Sequence, residues 1–137
     1  MRGTIIAGWA GAFLAGAALS LALPPAARAA DVKKELDTAV QHAQFAAAAK
    51  DVKMAHAHLH HVINCLVGPN GKGFDAKQLD PCKGMGNGAI ADSSGAAQKK
   101  ELQAAVRKAE QGLKQSQLAT AQKTATDVGE MIKKANM

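Results

Sequence analysis

The chain has 137 residues, with 17 basic and 11 acidic side chains, a net charge of +6, no Tyr, one Trp and three Phe. A mild, dispersed positive charge without stacking aromatics or a dense basic stripe argues against nucleic-acid binding. The two cysteines, Cys65 and Cys82, form no C-x-x-C motif, so a redox centre of that kind is excluded.

The first element is a targeting signal. Arg2 supplies the positive start, and the run "IIAGWAGAFLAGAALSLAL" from Ile5 to Leu23 supplies the apolar middle. Ala27-Arg28-Ala29 gives the A-x-A pattern, which places cleavage before Ala30. An uncleaved membrane anchor is the alternative, but the Gly and Ala content and the cleavage site favour removal of residues 1–29. No Cys follows the run that could carry a lipid. A periplasmic or secreted location follows, with no membrane association after cleavage. Of the 17 basic residues, losing Arg2 and Arg28 leaves 15 against 11 acidic ones, a net +4. Two cysteines in an oxidising compartment predict one structural disulfide between Cys65 and Cys82. In the chain-entropy picture it stabilises the fold by roughly 3 kcal/mol.

Residues 30–137 read as a single helical domain. Leu36, Val40, Ala43 and Ala47 recur at helical spacing, as do Val52, Ala55, Leu59, Val62 and Leu66. Asp31 and Asp51 stand where each helix would need a cap. Gly68-Pro69 ends the second helix. After a Gly-rich link, a helix starts near Ser94. Leu102, Val106, Ala109 and Leu113 form its stripe, and Leu118, Ala121, Ala125, Val128 and Ile132 form the next, with Ser116 as its cap.

These stripes are related. At an offset of 66 residues, "ELDTAVQHAQ" from Glu35 lies over "ELQAAVRKAE" from Glu101, and Ala55 and Val62 meet Ala121 and Val128. The expectation is an all-α fold: a four-helix bundle from two duplicated helical hairpins, 31–67 and 95–136, separated by a Gly-rich loop at 68–94 that the disulfide pins. Two unbroken helices of about 35 residues pairing as a dimer remain the alternative. The Ala-rich seams bury little apolar area, which leaves room for a homodimer. Within the link, "GPNGKG" lacks the Walker spacing and "FDAKQLD" lacks the ligand ladder of an EF-hand.

Four of the five histidines fall in "MAHAHLHHVINC", Met54 to Cys65. The repeat acts as an internal control. His42, His56, His58, His60 and His61 align with Lys108, Gln122, Thr124, Thr126 and Asp127, so the helical scaffold does not require imidazole. On a helix, His58 and His61 share a face, with Met54 and Cys65 extending the stripe. His56 and His60 form a second pair. None of the four is expected on the apolar seam. If the hairpin turns near Lys50-Asp51, His42 stands level with His58 and completes a cluster of His42, His58 and His61. Imidazole suits Cu²⁺, Ni²⁺ and Zn²⁺, and a Met54 thioether would suit Cu(I). Exposed histidines can equally be a solvated polar face. Their concentration in one hairpin favours a metal site, with copper first and nickel or zinc as alternatives.

The signal segment, "QHAQFAAAA" and "AHAHLHHV" resemble the small periplasmic His-rich metal-binding proteins, over residues 32–66. That resemblance implies binding of copper and other divalent metals by a helical bundle. The chain departs from the group in confining its histidines to one hairpin and in carrying the 68–94 loop, which implies one or two sites rather than many. Two other functions are open on the sequence. One is a non-catalytic periplasmic interaction or stress-related protein that uses the disulfide loop to hold a protein partner. The other is a bundle that binds haem non-covalently, since C-x-x-C-H is absent. No nucleophile with a placed base, paired acids or cofactor motif is present, so a non-enzymatic role is expected.

Overall fold

A computed structural model describes residues 30–137; the expected signal segment and its cleavage point at 1–29 lie outside the described residues. The described residues are all-α, with five helices and no strand. They are α1 (Val32–Ala47), α2 (Val52–Val67), α3 (Ala89–Asp92), α4 (Ala96–Gly112) and α5 (Leu118–Ala135). None is long and apolar enough to cross a membrane.

The starts of α1 and α2 follow from their caps. Asp31 accepts from the Lys34 backbone N–H at 3.0 Å, and Asp51 from that of Met54 at 2.7 Å. Each satisfies a helix donor that has no intrahelical partner. The α5 start differs from expectation. Gln117, not Ser116, takes the cap position, without a side-chain bond. Gln117 is the residue that aligns with Asp51 at the offset of 66, and the turn before it is closed by backbone bonds instead. α4 likewise starts after Gly95, again with no side-chain cap.

α1 packs on α2 and α5, and α4 packs on α5 and α2. Leu36, Leu59, Leu66, Leu102, Val128 and Ile132 are fully buried at the centre. Alanines 39, 43, 46, 105, 109 and 125 fill the spaces between them. On α1 the buried stripe is Leu36, Ala39, Ala43 and Ala46, while Val40 and Ala47 are only half-buried. The displacement has a simple cause: α1 touches two neighbours, so its buried face lies between them rather than along one seam. Small residues permit close approach. A Cβ added to Gly129 on α5 would lie 3.3 Å from that of Ala43.

The 68–94 segment is not a structureless loop. It is a series of backbone-bonded turns followed by α3. Three ties explain its order. Cys65 and Cys82 form the expected disulfide, with both residues buried. Asn64, also buried, donates from Nδ2 to the carbonyls of Asp75 at 3.0 Å and Leu79 at 3.2 Å, and accepts from the Asp75 N–H at 2.9 Å. Gly68 closes α2 at φ 69° and lies directly against the Asn87–Gly88 backbone, where any side chain would collide.

The disulfide closes 17 residues of sequence, so replacing both cysteines by Ala should cost roughly 3 kcal/mol with helix content retained. Urea unfolding followed by circular dichroism measures it. A loss below about 1 kcal/mol would mean that the remaining ties, the Asn64 bonds among them, hold the segment without the disulfide.

Candidate metal centre

Two features bring histidines from different helices to one level. The Ala48–Asp51 connection reverses the chain, and the Asp51 cap fixes the phase of α2. His42 on α1 then faces His58 and His61, which share one side of α2 at i and i+3. His42 Nδ1 lies 3.2 Å from His58 Nδ1 and 3.2 Å from His61 Nδ1. The three ring centroids are 5.0 to 5.4 Å apart. One potential ligand nitrogen from each ring falls within 4.8 Å of the others, and no other such group of three His, Cys, Asp or Glu exists among the described residues.

The spacing can be compared with coordination geometry. Nitrogens held at 2.0–2.1 Å in a tetrahedral shell lie about 3.3 Å apart. The two measured separations are close to that value. The protonation states also suit a cation. Burial, and then the charges of His42, His58 and His60, push His61 down to about 4. Burial and the neighbouring His58 lower His42, and burial lowers His58. All three rings are therefore neutral at pH 7, which is the form that ligates. Three neutral imidazoles meeting at Nδ1 cannot satisfy one another. Each Nδ1 carries either a hydrogen or a lone pair, and His42 Nδ1 faces two partners.

Phe45 completes the site and was not legible as part of it. Its ring stands edge-on to His42 at 5.4 Å and tilted against His58 at 5.3 Å. The available signal was its i+3 relation to His42 on α1. His61 also departs from expectation. It is buried rather than flanking the seam in solvent, with the His42 and His58 rings packed against it.

The remaining candidates lie elsewhere. His56 Nε2 is 3.0 Å from the Gln115 carbonyl in the α4–α5 turn. His60 Nδ1 is 3.8 Å from Asp75 Oδ2 in the pinned segment. These two share a helix face at i,i+4 but meet different partners. Met54 is exposed, one turn before His58. Cys65 is committed to the disulfide and offers no thiolate.

The second hairpin shows what this location holds without histidine. Lys108 and Asp127, which align with His42 and His61, form an ion pair at 3.2 Å. Thr124, which aligns with His58, donates to the Thr120 carbonyl within its own helix. Compared with protein-family models, curated proteins and solved structures, the chain matches none.

The depressed His61 sets a pH dependence for the metal-free protein. Its folded pKa of about 4 lies below the ordinary 6.5, so the unfolded chain binds the extra proton first as pH falls. Stability from this group is complete above 6.5 and is lost as pH drops through 4. Urea midpoints recorded across that window should fall, and His61→Gln should flatten the decline. An unchanged slope in the variant would assign the acid sensitivity to other groups.

Proposed function

We propose that the protein is an exported metal-binding protein, a buffer or carrier for copper, with nickel or zinc as alternatives. We read its fold as a four-helix bundle made from a duplicated hairpin, in which the first copy acquired the ligands. The single observation that carries the function is the convergence of three neutral imidazole nitrogens from two helices. The resemblance of residues 32–66 to small periplasmic His-rich proteins, the disulfide and the signal-like start support the export half of the reading.

The chemistry of the donors narrows the ion. Three imidazoles suit Cu²⁺, Ni²⁺ and Zn²⁺, and affinity for such sites rises to a maximum at Cu²⁺ along the first-row series. Met54, on the turn before His58, is the nearest soft donor in sequence and would favour Cu(I). A carrier also needs an accessible site. His58 keeps partial exposure and Phe45 is exposed, so the α1–α2 face is open on one side. The cluster contains no carboxylate that could act as a general base, which fits storage or transfer better than hydrolysis.

Calorimetric titration of untagged protein with Cu²⁺, Ni²⁺ and Zn²⁺ tests the reading. Binding of about one ion per chain is expected, with Cu²⁺ tightest. The His58→Ala/His61→Ala variant should lose it while keeping its helix content. A His56→Ala/His60→Ala variant should bind as the parent does. Equal binding by parent and His58/His61 variant would remove the trio as the site.

A further inference from the structure

The three clustered histidines lack the support that metal ligands usually have. A ligating imidazole normally donates its second ring N–H to a carboxylate, a carbonyl or water, and that bond fixes the orientation of the ring. Among the described residues, the hydrogen-bond contacts of His42, His58 and His61 run only between their own Nδ1 atoms. No protein carboxylate or carbonyl meets the Nε2 of any of the three. Such partners go to the neighbouring histidines instead. His56 Nε2 meets the Gln115 carbonyl, and His60 Nδ1 lies 3.8 Å from Asp75 Oδ2.

Ring packing takes the place of those bonds. His61 is buried at the inner side of the trio, while His42 and His58 are half-buried. Phe45 packs on the two outer rings, edge-on to His42 at 83° and tilted to His58 at 55°. Both pairs stand at separations where aromatic rings attract. The contacts join two helices, since His42 lies one turn before Phe45 on α1 and His58 lies on α2. Phe45 is 44% exposed, so filling the core does not account for it. Gln111 aligns with it at the offset of 66, in the hairpin that has no imidazole. The aromatic ring and the imidazoles occur together in one hairpin.

We propose that Phe45 is the positioning residue of the imidazole trio: its ring holds His42 and His58 in register for one ion and covers the side from which that ion exchanges with solvent. The proposal rests on the metal-binding reading above. Side chains already fixed before the ion arrives lose less freedom on binding, so preorganisation raises affinity. An apolar ring on the outer side also limits the access of water and competing ligands to a bound ion. A hydrogen-bonded carboxylate would fix the rings too, but it would raise their basicity as ligands. An aromatic clamp orients them without that effect, which suits a site that must give up its ion to a recipient.

Calorimetric Cu²⁺ titration and stopped-flow removal of bound Cu²⁺ by EDTA, both on untagged protein, test the proposal. Phe45→Gln should weaken binding roughly tenfold and speed removal by a similar factor, with stoichiometry and helix content unchanged. Phe45→Tyr keeps the ring and should behave as the parent does. The electron paramagnetic resonance spectrum of bound Cu²⁺ should show one nitrogen-coordinated species in the parent and in Phe45→Tyr, and a broadened mixture in Phe45→Gln. A general loss of stability would not produce that mixture at unchanged helix content. A parent that takes up no Cu²⁺, or takes it up away from the trio, would overturn the metal-binding reading and this proposal with it. Binding at the trio with Phe45→Gln equal to the parent in affinity, removal rate and spectrum would overturn this proposal alone. So would a Phe45→Tyr variant as impaired as Phe45→Gln.

Discussion

The close approach of α1 to its two neighbours is the constraint on which the rest of the molecule depends. Ala39, Ala43 and Ala46 present almost no side chain to α2 and α5, and Gly129 faces Ala43 with none at all. His61 on α2 is buried against this pair of helices, with the His42 ring beside it. The same feature limits stability. Alanine buries far less apolar surface than leucine, so the hydrophobic term per residue is small. A domain of this kind gains much from ties that do not depend on core volume. The disulfide and the three hydrogen bonds of buried Asn64 are such ties, and both act on the segment between the hairpins.

At positions that align at the 66-residue offset, the two hairpins hold different groups. Lys108 and Asp127 occupy the positions that align with His42 and His61, and they pair across the interface as opposite charges. That arrangement satisfies both groups. In the first hairpin these positions hold imidazoles whose burial and mutual charge disfavour protonation. Glu35 and Glu101 also differ, one buried and the other 3.6 Å from the Lys134 ammonium.

Much of this was legible in the sequence. The all-α class follows from apolar spacing, and the disulfide from the even cysteine count and the expectation of export. The two aspartate caps follow from short acceptors placed before apolar runs. The meeting of His42 with His58 and His61 follows from counting residues on either side of one turn. Other features needed coordinates. Helix α3 is four residues long and too short to show a period. Ser116 looked like a cap, yet backbone bonds already closed that turn. Asn64 is one polar residue in an apolar run, and only the folded 75–79 segment shows what it holds. Val40 and Ala47 fit a single seam, but a helix with two neighbours buries a different line of residues.

The histidine geometry is set by the hairpin turn more than by the histidines. α2 begins at the Asp51 cap, and each residue added or removed before that cap would rotate its side chains by about 100° relative to α1. One such step would carry His58 and His61 away from His42 while leaving composition and helix content unchanged. The turn is correspondingly well tied. Besides the cap, His56 reaches the Gln115 carbonyl and Gln122 donates to the Ala49 carbonyl, so the α1–α2 and α4–α5 turns hold each other. Ala49, Ala55 and Ala121 form a small separate core beneath them. His56 thus has a structural role distinct from that of the trio.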